Sequence, residues 1–166
     1  MGNVSFKATI DPTSVGAALM NARLVDLRPA WTEIAAILAA DQRRTFDTRG
    51  GNIGERWEPP SAATLARKGR AKGSAQLVLS GEVLAQVSSP SAGLRRASRT
   101  FMSFGTNIRH GIVQHFGSKA RNIPARPFMR ISDSAARSID AIIRRAVDAE
   151  VERTSQKIAG LTRRGA

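Results

Sequence analysis

No cysteine and no tyrosine occur among the 166 residues of the chain. Without cysteine there are no disulfides, no thiolate metal ligands and no thiol nucleophile, and either redox compartment is compatible. Aromatic residues make up only 5%, six Phe and two Trp. Single-strand and RNA platforms stack bases on aromatic rings, so those partners are disfavoured. Long apolar runs are missing as well. The run Ala35 to Ala40 is mostly alanine, well short of the roughly 18 residues a membrane span needs. The first residues do not read as a secretory signal, and Phe6 stands where a myristoylation signal requires Ser or Thr.

Carboxylates are scarce in one region only. The net charge is +13, from 26 Lys plus Arg against 13 Asp plus Glu. Residues 1–60 hold seven bases and seven acids, and residues 131–166 hold seven and five. Residues 61–130 hold twelve bases and the single acid Glu82, so the middle of the chain carries almost the whole excess. Such a block either serves solubility or faces a polyanion, and a polyanion gains from counterion release. Arginine supplies 21 of the 26 positive charges, which favours forked contacts with phosphate or carboxylate. Duplex DNA and acidic protein surfaces are the expected counterparts.

A 42% apolar share is enough for one hydrophobic core, and the length favours a single domain. Val4, Phe6, Ala8 and Ile10 alternate with polar residues at the period of a half-buried strand. Asp26 can cap a helix that tolerates Pro29 in its first turn, places Leu27, Trp31, Ile34 and Leu38 on one face, and stops before Gly50-Gly51. Residues 47–75 read as loop, including the basic glycine-rich stretch 67–73. Residues 77–87 suit an extended piece running into a helical turn, and Ser88 to Gly93 a turn. Arg95 to Thr106 reads as a strand or hairpin arm, with Arg96, Ser98, Thr100, Met102 and Phe104 on one face. Ile108, Ile112, Val113 and Phe116 permit a turn or two of helix. Ile123-Pro124-Ala125-Arg126-Pro127-Phe128 must be extended, because each proline fixes its own φ and keeps the preceding residue out of the α region. Ser132-Asp133 caps a last helix striped by Ile139, Ile142, Ile143, Ala146, Val147 and Val151. These pieces predict an α+β fold, a small antiparallel β-sheet packed against a long N-terminal-half helix and a long C-terminal helix. One domain is expected over 1–152, with 153–166 a basic, frayed tail.

Motifs that carry chemistry are sought in vain. Gly50-Gly51-Asn52-Ile53-Gly54 is followed by Glu55 where a phosphate loop needs Lys. His110 and His115 are five apart, not the four of a helical metal pair, and no acid lies between Glu82 and Asp133 to orient either. His115 beside Phe116 therefore reads as a packed structural histidine. No serine sits in a nucleophile elbow or a Ser-x-x-Lys pair. No catalytic, cofactor or metal site is expected. Trp57, in a loop between Arg56 and Glu58-Pro59-Pro60, either pins that loop to the core or anchors a subunit contact.

The order of the pieces resembles the phage virion morphogenesis, or tail-completion, family of tailed bacteriophages. Arg44-Thr45-Phe46 ends the first long helix, and Trp57 and Thr64 follow. Leu77-Val78-Leu79-Ser80-Gly81-Glu82-Val83-Leu84 loosely matches the next element. Phe104-Gly105 precedes Gln114-His115-Phe116-Gly117, and Ile-Pro-Ala-Arg-Pro-Phe stands intact at Ile123 to Phe128, ahead of the capped helix. The resemblance covers about residues 30 to 150. It implies a non-enzymatic virion protein of the tail or neck, assembled in the host cytoplasm, that completes or terminates the tail and lets it join the filled head. It further implies a homo-oligomeric ring, a hexamer being expected, in contact with neck or connector and tail-tube proteins. Within such a ring, Trp57, Ile123, Pro124, Arg126, Pro127 and Phe128 are expected at the subunit interface. Phe128 plugging its own core and Arg126 pairing internally is the alternative. Arg67, Lys68, Arg70, Lys72, Arg95, Arg96 and Arg99 are expected to face the lumen and touch duplex DNA without reading bases. The competing function is a free duplex-DNA-binding protein.

Overall fold

A computed structural model describes residues 4–7, 25–59, 61–62, 66 and 81–164. The element that organises the rest is helix α1, Arg28–Asp47. Asp26 acts at its start, one position earlier than a formal cap: its Oδ1 accepts from the Arg28 backbone N–H at 3.1 Å, while Leu27 holds the N-cap position. Pro29 occupies the first turn, where an N–H has no helical acceptor to lose. The expected face is buried, with Trp31, Ile34 and Leu38 in the core and Ala30, Ala35 and Ala39 filling between them. The helix ends where the glycines begin. Arg49 (φ 52°) and Gly50 (φ 81°) turn left-handed, and the Gly50 N–H reaches back to the Thr45 carbonyl at 2.8 Å.

The sheet has three strands: β1 (Val4–Lys7), β2 (Leu94–Ala97) and β3 (Met102–Thr106). Their order is β1-β3-β2, both pairings being antiparallel. Residues 94–106 are thus a hairpin rather than one arm. The Ser98 N–H bonds the Phe101 carbonyl at 2.7 Å to close its turn. That turn breaks the single face expected from Arg96 to Phe104: Met102 and Phe104 are buried, whereas Arg96, Ser98 and Thr100 are exposed. The hairpin is tied to α1 by the Trp31 indole, which donates to the Ser98 carbonyl at 2.7 Å, and by the Leu27 N–H, which donates to the Arg99 carbonyl at 2.7 Å.

Short helices fill the gap between sheet and α1. Helix α2 (Glu82–Val87) buries Val83 and Val87. The expected turn at 88–93 contains a single helical turn, α3 (Pro90–Gly93). Gly93 is required there, since a Cβ would lie 2.3 Å from the Phe104 ring. Helix α4 (Arg109–Phe116) follows β3. Helix α5 (Asp133–Arg164) packs along α1 through Ala135, Ile139 and Ile142. The two long helices run antiparallel: Ser132 meets Asp41 near one end, and Arg145 donates to Glu33 at 2.7 Å near the other. The architecture is mixed α+β, as the sequence predicts. At the C-terminus α5 continues unbroken past residue 152 as far as Arg164.

Candidate subunit-contact surface

The strap 123–128 begins at a tight loop. Ser118 and Ile123 form an isolated antiparallel bridge, closed by Ser118 N–H to Ile123 carbonyl at 2.8 Å and Ile123 N–H to Ser118 carbonyl at 2.9 Å. Gly117 makes the approach possible. Its φ of 73° with ψ of −178° belongs to glycine alone. A Cβ there would sit 2.7 Å from the Ala125 nitrogen and 2.8 Å from the Ile123 carbonyl oxygen. From this loop the prolines carry the chain past the end of α1 to a tight turn at Pro127, where the Phe128 N–H bonds the Arg126 carbonyl at 2.8 Å, so the run is not extended to its end as expected.

Phe128 has no exposed surface. It fills this chain's own core, with its ring centroid 5.4 Å from Phe46 and 5.2 Å from His115. Trp57, 5% exposed, stands edge-on to Phe46 at 5.5 Å, so the indole pins its loop to the helix end. Arg126 is buried too. Its guanidinium donates to Gln114 Oε1 at 3.0 Å and to the Glu58 carbonyl at 3.4 Å, and its backbone N–H bonds the Gln114 carbonyl at 2.8 Å. Burial lowers its pKa, partly offset by the charge of Glu58. In this fold Trp57, Arg126 and Phe128 each pack the side chain against their own chain, the alternative that the sequence left open. Ile123, Pro124 and Pro127 remain half-exposed.

His115 is the structural histidine that its setting suggests. Its Nδ1 accepts from the Met129 backbone N–H at 3.3 Å, and burial pushes its pKa down, so the neutral ring is the one that fits. Phe116 ends its helix 68% exposed, with the His115 ring edge-on to it at 4.7 Å.

The expected DNA-facing residues divide. Arg96 and Arg99 are exposed around the β2–β3 turn. Arg67, Lys68, Arg70 and Lys72, and the Arg95 side chain, lie outside the described residues. No group of three or more His, Asp or Glu able to hold a metal occurs among those described, and no described helix is long and apolar enough to cross a membrane.

Sequence reasoning missed a buried polar cluster where the start of α5 meets α1. Asp41 and Ser132 are both buried. Asp41 Oδ2 accepts from the Ser132 backbone N–H at 2.9 Å and Oδ1 from the Ser132 hydroxyl at 2.6 Å. Asn52 adds a bond to Asp41 Oδ1 at 3.3 Å and one to Thr45 Oγ1 at 2.9 Å. Ser132 Oγ in turn accepts from the Ala135 N–H at 3.3 Å, capping α5. One signal was available: Asp41 and Thr45 continue the apolar spacing of Ile34 and Leu38, and a carboxylate on a core face needs partners.

With this geometry in hand, the comparison with known sequences is direct. A sequence profile of the phage virion morphogenesis family matches residues 13–148, and the chain belongs to that family. The family is a structural one, and the role it indicates lies in phage structure or assembly. No curated protein and no solved structure matches the chain.

Proposed function

We propose that several copies of the chain close into a ring at the head–tail junction, completing or terminating the tail so that it can join the DNA-filled head. The observation that carries this reading is the family match over residues 13–148. The charge layout supports it: twelve bases against one acid in 61–130 suit a channel wall that passes duplex DNA through backbone attraction alone. A hexamer in contact with connector and tail-tube proteins is the working arrangement. Ile123, Pro124 and Pro127 are what the strap offers a neighbour in it, at low ordering cost because proline already restricts the segment.

The competing reading as a free DNA binder finds less support. A groove-reading helix needs unneutralised Arg, Asn or Gln on one face. On α5, Arg144 pairs with Asp140 at 2.7 Å and Arg145 with Glu33 at 2.7 Å.

The test is removal of the gene from the phage that carries it, followed by electron microscopy of the lysate. Filled heads and separate tails are expected. Normal joined particles would overturn the proposal, as would tight, sequence-selective duplex binding by the isolated monomer.

A further inference from the structure

Two large hydrophobic side chains are exposed among the described residues, Phe116 at 68% and Val151 at 37%. They sit at opposite ends of the protomer. Phe116 adjoins His115, which touches Phe128 and through it Phe46, near the C-terminal end of α1. Val151 lies on α5 beyond Arg145, whose partner Glu33 is near the N-terminal end of α1. At about 1.5 Å per residue, the levels of Phe46 and Glu33 are ~20 Å apart and Val151 is ~9 Å further on. The two side chains cannot meet within one chain, because rigid helices hold them apart.

Their surroundings carry opposite charge. Residues 109–121 contain Arg109, Lys119 and Arg121, all exposed, and no carboxylate. Arg109 and Phe116 lie two turns apart and share a face of α4. Residues 148–152 contain Asp148, Glu150 and Glu152 and no base. Glu150 pairs with Arg153 at 2.8 Å, Asp148 faces the charge of Arg144 one turn back, and Glu152 accepts from the Gln156 amide at 2.9 Å; Asp148 and Glu152 nonetheless stay exposed to solvent. Val147 is still packed against the core, whereas the side chains from Val151 to Lys157 are exposed apart from Thr154.

We propose that Phe116 and its basic surround on one copy seat on Val151 and the acidic stretch of α5 on a second copy. An apolar centre rimmed by complementary charge is the usual anatomy of a specific contact. Because the two patches differ and lie at opposite ends, the contact is head to tail, the kind that closes rings. The proposal rests on the ring reading above and names the surfaces that would build it.

The test uses the full chain in sedimentation velocity, with circular dichroism as the control for folding. Both residues are exposed, so Phe116→Ser and Val151→Ser are expected to fold normally. Each alone should weaken self-association at least tenfold. Mixing the two should give a one-to-one dimer and nothing larger, since each variant retains the patch that the other lacks. Lys119→Glu with Arg121→Glu should also dissociate the assembly, and mixing that variant with one carrying Asp148→Lys and Glu152→Lys should restore it as alternating copies, since one contact is then charge-swapped and the other is wild type. Unchanged assembly of the serine variants, or monomeric variants that fail to dimerise when mixed, would overturn this contact while leaving the ring reading in place. A wild-type chain that stays monomeric at its highest soluble concentration would overturn the ring reading itself.

Discussion

Replacing Asp41 by Ala removes the acceptor for two donors of Ser132, its backbone N–H at 2.9 Å and its hydroxyl at 2.6 Å. The hydroxyl has an alternative in Ser134 Oγ at 3.0 Å, and Asn52 keeps Thr45 Oγ1. The backbone N–H has none, and an orphaned buried donor costs about 1–3 kcal/mol. Loosening Ser132 also weakens the cap of α5, worth about 1 kcal/mol. The expected loss is thus about 3 kcal/mol. Asp41→Asn keeps the shape and one acceptor oxygen, so about half that loss is expected. Urea unfolding followed by the fluorescence of Trp31 and Trp57 measures it. With a slope of about 2 kcal/mol/M, the midpoint of Asp41→Ala should fall by roughly 1.5 M. Asp47→Ala is the control: Asp47 is exposed and 3.7 Å from Arg43, and its loss should stay within about 0.5 kcal/mol. The Asp41→Ala and Ser132→Ala effects should not add, because both act on one cluster. A loss below about 0.5 kcal/mol for Asp41→Ala would refute the claim that this cluster joins the two long helices.

Phe128→Ala should cost about 3–5 kcal/mol and lower the melting temperature on the order of 10 °C, whereas Phe116→Ser should leave it nearly unchanged; similar melting of the two would contradict the assignment of one ring to core and the other to surface. Gly117→Ala should destabilise at least as much as Phe128→Ala, since its Cβ meets backbone atoms that move only if the strap opens. His115 has a depressed folded-state pKa, so the unfolded chain binds its proton more readily. Its stabilisation is fully present above about pH 6.5 and is lost as pH falls from there through the folded value. Melting scans between about pH 7.5 and 5.5 should show this drop in the native chain and a smaller one in His115→Asn, which keeps an acceptor for Met129; equal drops in both would assign the pH dependence elsewhere.

The long helices were legible in the sequence because their apolar spacing is regular and their ends carry local signals: Pro29 at one end, Gly50 at another, and Ser132 as a cap. The strap was legible in part, since proline keeps 123–128 out of helix, but not the tight turn at Pro127 that brings Phe128 inward. Side-chain destinations were harder to read. Nothing in Arg126-Pro127-Phe128 distinguishes a residue folded inward from one offered to a neighbour, because both fates favour a ring and a forked cation. The hairpin was half seen. Alternation from Arg96 to Phe104 looks continuous along the chain, but a turn at Ser98–Thr100 resets which side faces the core. The Asp41 cluster escaped because its members, Asp41, Asn52 and Ser132, come from three distant segments.

The order β1-β3-β2 has a consequence for biosynthesis. Val4 pairs with Thr106 and Phe6 with Phe104, so the first strand to leave the ribosome is an edge whose partner is translated about a hundred residues later. At 5–20 residues per second that delay is roughly 5–20 s. For that interval β1 holds unpaired backbone amides and carbonyls, and any neighbouring nascent chain that has already made its own β3 presents a competing berth for them. Crowded polysomes translating this message would therefore favour exchange of the leading strand between siblings, a hazard that dilution or slower initiation would relieve.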